Sequence, residues 1–204
     1  MKIKTLIVGP IGTNCYLLCD EDAKTCAVVD PGGDAGRVAA AVAETGCAPC
    51  AILLTHGHYD HTGAVGELQA KWPEVPVYLN RRDVYDDAYT QQLFPPLSGD
   101  VRDYDEGDTV AVGGLTVSVL ATPGHSEGSV TLRCGDVLFC GDTLFAGSCG
   151  RWDLHGGDGD ALMASLARLG ALEGNYKVCP SHGHASLLDR ERAYNQFMRQ
   201  AMKQ

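Results

Sequence analysis

The sequence predicts an α/β protein, of the α+β kind, in which two β-sheets are covered by helices. Three observations predict it. Short apolar runs of strand length recur along all 204 residues. Helix-forming stretches arrive between those runs rather than in a block of their own. No linker, internal period or low-complexity tract divides the chain, so residues 1–204 read as a single domain. Placing helices outside two facing sheets buries every apolar face these elements carry.

The elements follow in order. Lys2–Val8, Cys15–Cys19 and Thr25–Val29 read as strands, divided by Gly9–Asn14 and Asp20–Asp22. Asp30-Pro31-Gly32-Gly33-Asp34 is a turn, and an alanine-rich helix runs from Ala35 to Glu44 until Gly46 ends it. Ala51–Leu54 is a buried strand, Thr62–Lys71 a helix and Val75–Leu79 a strand. Arg81–Asp87 has helical character, and Gln91–Gly99, with Pro95-Pro96, reads as an exposed loop. Strands resume at Thr109–Val112, Leu115–Ala121, Ser129–Arg133 and Val137–Cys140, with Gly113-Gly114 and Gly135-Asp136 as hairpin turns. A helix over Asp160–Leu169, a strand over Tyr176–Cys179 and one helix from Leu188 to Met202 complete the chain.

A formal charge of −10 argues against nucleic acid or an anionic membrane as partner, since both need a basic face. No apolar stretch approaches the ~18 residues of a membrane helix. The N-terminal run alternates like a strand rather than forming a secretory leader, so a soluble, cytoplasmic protein is expected. The nine cysteines are odd in number and irregularly spaced, which does not suit a disulfide framework. Cys47-Ala48-Pro49-Cys50 has the spacing of a redox pair or half a zinc ribbon. With no second such motif, buried thiols used as apolar filler is the better reading.

The chemistry is concentrated in Thr55-His56-Gly57-His58-Tyr59-Asp60-His61, where three histidines and an aspartate directly follow the strand Ala51–Leu54. Imidazole and carboxylate are ligands for zinc or iron. Four of them in six positions are too many for one tetrahedral site that must also bind substrate, so two metals side by side are expected. Three later places repeat the pattern of a strand end, a tight turn and a metal-competent side chain: Ala121-Thr122-Pro123-Gly124-His125, Cys140-Gly141-Asp142 and Cys179-Pro180-Ser181-His182. Each alone is weak, because a single histidine or aspartate after a strand is commonly a surface residue or a cap. Together they supply five histidines and two aspartates, enough for two metals that share one bridging carboxylate.

HxHxDH, then Gly-His, Gly-Asp-Thr-Leu-Phe and Ser-His-Gly resemble the metallo-β-lactamase-fold hydrolases, and among them the short glyoxalase II-like (hydroxyacylglutathione hydrolase-like) branch. The resemblance runs through Thr13-Asn14-Cys15-Tyr16 and Val29-Asp30-Pro31-Gly32 to His182. It implies a four-layer αββα sandwich with the site at one edge. It assigns His56, His58 and His125 to a first divalent metal, Asp60, His61 and His182 to a second, and Asp142 to both, together with a hydroxide. Zinc is expected first, with iron or manganese as alternatives. Phe145–Leu154 is similar to the GRTDL stretch of short bacterial members, with Trp152 in the threonine position. Pro180-Ser181-His182-Gly183 replaces the usual Pro-Gly-His-Gly without loss of a ligand, and His184 is expected at the surface. The chain ends about twenty residues after His182, without the C-terminal helical domain by which full-length glyoxalase II grips glutathione, so a broad or non-glutathione thioester is expected.

The implied activity is hydrolysis by a metal-activated hydroxide, with Asp60 orienting the nucleophile and accepting its proton. A thiolate, of conjugate pKa about 8.5, leaves without a strong general acid, and none is evident, so a small-molecule thioester fits best. Asp30 reads equally as a hydrogen-bond partner of a ligand or as part of an Asp-Pro-Gly turn. Arg151 reads as a substrate anchor or as a partner of Asp153, and His155 as an exposed loop residue. A lactone hydrolase would use nearly the same site. A persulfide dioxygenase would use one iron, held by His56, His125 and Asp142. Asp142, with Cys140 two positions away, counts against β-lactam hydrolysis, and His58 excludes the flavodiiron pattern. The oligomeric state is left open.

Overall fold

The computed structural model describes residues 1–203. The first sheet takes its strands in chain order: β1 (Lys2–Val8), β2 (Thr13–Asp20), β3 (Thr25–Val29), β4 (Ala48–Leu53), β5 (Val77–Tyr78) and β6 (Val101–Arg102). The first three pair antiparallel. Once α1 (Ala35–Thr45) crosses from β3 to β4, the remaining pairings are parallel. Two more helices, α2 (Tyr59–Thr62) and α3 (Val65–Lys71), lie between β4 and β5.

The second sheet contains β7 (Thr109–Val112), β8 (Leu115–Ala121), β9 (Val130–Cys134) and β10 (Val137–Gly141) as an antiparallel meander. A two-stranded ribbon follows, β11 (Leu144–Phe145) and β12 (Ser148–Cys149), and then α4 (Gly159–Gly170). β13 (Lys177–Pro180) pairs parallel with β10, and β14 (Ser186–Leu187) closes that edge. The chain ends in α5 (Leu188–Tyr194) and α6 (Gln196–Ala201).

Strand periodicity sorts the side chains into layers. On β2, Cys15, Leu17 and Cys19 join Val38 and Val42 of α1 and Leu68 of α3. Tyr16 and Leu18 point the other way, toward Val117, Leu132 and Phe139 of the second sheet. On β10 the division repeats: Phe139 faces the inter-sheet core, while Leu138 and Cys140 meet Leu162 and Leu166 of α4 and Met198 of α6. Three apolar layers therefore separate four structural ones, an αββα sandwich. β2 is buried along its whole length because both its faces are covered.

All nine cysteines are free, and eight are buried. Cys47 packs in the outer cluster and Cys50 against the inter-sheet cluster, on opposite faces of the first sheet, so their spacing does not make a pair. Burial pushes the Cys26 thiol up to about 12 and the Cys179 thiol up to about 11, the state of inert core thiols.

The structure departs from the sequence reading at several points. The helix expected over Thr62–Lys71 is preceded by a separate turn, Tyr59–Thr62, that carries Asp60 and His61. Helix over Arg81–Asp87 shrinks to a 3-10 turn at Arg81–Asp83, and the expected loop holds another at Thr90–Gln92. The edge strand β6 and the ribbon β11–β12 are too short to show a period. The C-terminal helix breaks at Asn195, whose backbone is extended (φ −72°, ψ 116°) and whose Oδ1 accepts from the backbone N–H of Phe197 and Met198. An asparagine that can cap a helix offers the backbone an alternative to continuing through it.

Candidate metal centre

Four strand ends deliver the predicted side chains to one edge of the sandwich. β4 leads into His56–His61, β8 into His125, β10 into Asp142 and β13 into His182. Backbone shape makes this approach possible. Gly141, beside Asp142, has φ +52°, and a Cβ there would stand 2.5 Å from Thr55 Oγ1. A Cβ on Gly32 would collide with the carbonyl of Asp60.

His56, His58 and His125 form the first group. His58 Nδ1 lies 3.0 Å from His56 Nε2 and 2.9 Å from His125 Nε2. The far nitrogens assign the tautomers. His125 Nδ1 donates to the carbonyl of Arg151 at 2.7 Å, leaving a lone pair on Nε2. Thr55 Oγ1 donates to Asp30 Oδ2 at 2.7 Å and so receives His56 Nδ1–H at 3.2 Å, leaving a lone pair on His56 Nε2. Two lone pairs thus converge on a third nitrogen that has at most one proton to give, which is the donor set of a cation. Burial, then the neighbouring imidazoles, keeps His56 neutral well below its ordinary range, and likewise takes His58 down to about 3. Neutral imidazole is the ligand form.

Asp60, His61 and His182 form the second group, with Asp60 Oδ2 3.2 Å from His61 Nε2 and 3.3 Å from His182 Nε2. Asp142 stands between the groups. Its Oδ2 is 3.5 Å from His125 Nε2 and 3.6 Å from His182 Nε2, and its Oδ1 is 3.6 Å from His61 Nε2. His61 Nε2 and Asp142 Oδ1 are buried polar atoms without a hydrogen-bond partner among the described residues. Each is placed where a cation between the groups would satisfy it. Burial opposes charge on Asp60, but His182 and His61 outweigh it and hold the carboxyl well below the usual range. Burial likewise opposes charge on His61, while Asp30, Asp60 and Asp142 draw positive charge to it, the place that a bound cation would take.

The structure therefore brings all seven expected ligand residues together. Asp30, at φ +50°, faces them: its Oδ2 lies 3.1 Å from His61 Nδ1, and its Oδ1 accepts Thr55 N–H at 2.8 Å. Arg151 lines the cleft with its side chain paired to Asp153, Nε to Oδ1 at 2.7 Å and Nη2 to Oδ2 at 2.8 Å. His155 and His184 are exposed. Sequence reasoning missed the buried partners that surround the ligands, chiefly Asp83, Thr55 and Ser126. It also gave no role to Thr13 and Asn14, although Thr13-Asn14-Cys15-Tyr16 is part of the family resemblance. The cleft over both groups encloses about 570 Å³, with walls that include Ile11, Tyr59, Leu93, Phe145 and Leu154.

A family model described as the Metallo-beta-lactamase superfamily matches residues 8–182. The chain belongs to the metallo-beta-lactamase superfamily. Within that superfamily it is 36% identical over 209 residues to the probable metallo-hydrolase YqgX of Bacillus subtilis (strain 168), covering 97% of this chain and 98% of that protein. Three solved structures share the fold over nearly all of this chain. The BLEG-1 B3 metallo-beta-lactamase is 35% identical with a TM-score of 0.86, covering 97% of this chain and 99% of its own. TTHA1623 in a di-iron-bound form is 38% identical with a TM-score of 0.79, covering 95% and 99%. ETHE1 from Myxococcus xanthus is 29% identical with a TM-score of 0.82, covering 96% and 84%. Divalent metal binding follows from the superfamily and the His/Asp cluster together. No helix among the described residues is long and apolar enough to cross a membrane.

Proposed function

We propose that this chain is a two-cation hydrolase of small thioesters, of the glyoxalase II-like kind, with zinc the first candidate metal and iron or manganese the alternatives. The observation that carries the reading is the pair of ligand groups with Asp142 reaching into both. When bound, two such cations acidify water and polarise a carbonyl. The rest falls to the protein. Asp60 uses Oδ2 toward His61, His182 and Thr13, while Oδ1 takes no hydrogen bond from the described residues. That free oxygen accepts the proton of the attacking water. Among the described residues the cleft has no carboxylic acid besides Asp60 and Asp142, which suits a leaving group that departs as an anion, as a thiolate does.

The apolar walls favour an acyl or thiol portion with little charge. Among the described residues Arg151 is the one lysine or arginine lining the cleft, and it is assigned to an anionic group of the substrate in exchange for its pair with Asp153. Metal analysis with a panel of thioesters, a lactone and a chromogenic β-lactam tests the reading. Two metal equivalents with preferential thioester turnover, without selectivity for S-lactoylglutathione, is the expected outcome. One iron per chain with oxygen uptake on glutathione persulfide would establish the dioxygenase instead. Preference for the lactone or β-lactam would move the assignment to that bond.

A further inference from the structure

We propose that the two cation centres are clamped by separate non-ligand residues, Asp83 for the first and Thr13-Asn14 for the second, so that either centre can be weakened alone. This rests on the two-cation reading above.

Asp83 is 2% exposed and forms no salt bridge among the described residues. Its Oδ2 accepts from Gly57 N–H at 2.9 Å and Ser126 Oγ–H at 2.7 Å, and its Oδ1 accepts from Gly128 N–H at 2.8 Å. Gly57 sits between His56 and His58, and Ser126 follows His125. One carboxylate therefore ties a loop of the first sheet to a loop of the second, and those loops carry all three nitrogens of the first centre. The fit is close: a Cβ on Gly57 would come within 2.9 Å of Asp83 Cβ, and one on Gly128 within 2.7 Å of its Cγ. Asp83 makes no hydrogen bond to Asp60, His61 or His182.

The other clamp lies at the start of β2. Asn14, 4% exposed, donates from Nδ2 to the carbonyls of Pro180 and Gly183 at 2.9 and 2.8 Å. Its backbone N–H donates to Ser181 O at 2.7 Å, so it encloses the turn that bears His182. Thr13, 1% exposed, donates its hydroxyl to Asp60 Oδ2 at 3.1 Å. Two of the three ligands that belong to the second centre alone are thus set by adjacent residues that make no hydrogen bond to His56, His58 or His125. Asp30 differs from both clamps. It meets His61 directly and reaches His56 through Thr55, so it serves both centres.

Removing a partner that orients ligands costs about 10- to 100-fold in metal affinity. The test strips the protein with a chelator and titrates zinc against a chromophoric competitor. Histidine-ring ¹⁵N resonances identify which imidazoles load with each equivalent. Wild type is expected to take two equivalents. Asn14→Ala and Thr13→Val are expected to weaken the step read on His61 and His182 by about 10- to 100-fold, with the step on His56, His58 and His125 unchanged. Thr13→Ser restores the lost affinity, Asp83→Asn gives the reverse pattern, and Asp30→Asn weakens both steps. Should Asn14→Ala misfold, the near-isosteric Thr13→Val carries the test. Clamp variants that fold normally and weaken both steps alike, or neither, would overturn separate clamping and leave the two-cation reading standing. A wild type that takes one equivalent would overturn both.

Discussion

Asp60 shows how much one side chain is asked to do. Its Oδ2 shares a ligand position with two imidazoles and takes the Thr13 hydroxyl, while Oδ1 stays open to the cleft. Asp60→Ala should lower thioester turnover by about 10²- to 10⁴-fold, the usual worth of a placed proton acceptor, and His125→Ala should abolish it, both with far-UV circular dichroism unchanged. Near-full activity in either variant would remove that residue from the mechanism. Arg151 has two separable parts. Its carbonyl holds His125, which any substitution keeps, and its guanidinium pairs with Asp153 on the cleft rim. Arg151→Ala should therefore raise KM for anionic thioesters and leave kcat alone, the pattern of lost uniform binding. An equal fall in kcat would show that the side chain acts on the reaction itself.

At the scale of elements, the chain's final helices hold a wall of the cleft. Asn195 caps α6 with Oδ1, and its Nδ2 donates to the carbonyls of Phe145 and Ser148 and to Glu191 Oε2. Glu191, 1% exposed, also accepts from Gly147 N–H at 2.7 Å. Asn195→Ala should cost about 1–2 kcal/mol in denaturant unfolding and speed amide exchange selectively in residues 144–149. Unchanged exchange there would detach the ribbon from α6. A second tie joins α4 to the second sheet: Glu106 receives Arg168 Nη1 and Nη2 at 2.7 and 2.6 Å, and Ala121 N–H at 2.8 Å. The Arg168 hydrogen bonds hold the Glu106 carboxyl below its ordinary value. A depressed acid stabilises the fold above its unfolded value, and that contribution is lost as pH falls through the folded value. Both partners are more than a third exposed, so screening limits the pair to about 0.2–1 kcal/mol. Glu106→Gln should thus lower Tm slightly at neutral pH and make no difference once acid has protonated the carboxyl.

For the whole molecule, the ligands come from loops of both sheets, so bound cations fasten the halves of the sandwich across their shared edge. Anything that binds only the folded state stabilises it, by about 2.7 kcal/mol per site at a hundred times Kd. In a domain of this size each kcal/mol moves Tm by about 2–4 °C. Chelation should therefore lower Tm by several degrees in a scanning experiment, and zinc should restore it. An unchanged Tm would mean that the folded state held no cation with appreciable affinity. The net charge of −10 is softened wherever cations bind, so the chelated protein should also show the steeper rise in stability with added salt.

Much of this was legible in the chain alone. The strands β1, β3, β7 and β8 and the helix α1 stand out as apolar or periodic runs between turn residues, and the sequence places them within a residue or two of their positions. The seven ligand residues were legible because a metal needs particular atoms, and those atoms stand beside glycine turns at strand ends. Only the tertiary structure decided what surrounds them. Asp83 is more than twenty residues from the nearest ligand, in an irregular segment, and Asn14 reaches a turn 166 positions later. Hydrogen bonds between distant segments leave no period and no local pattern, because they depend on where the chain returns to and not on its neighbours in sequence. The break at Asn195 belongs to the same class. Its carbonyl partners, Phe145 and Ser148, become available only when the ribbon folds against α6.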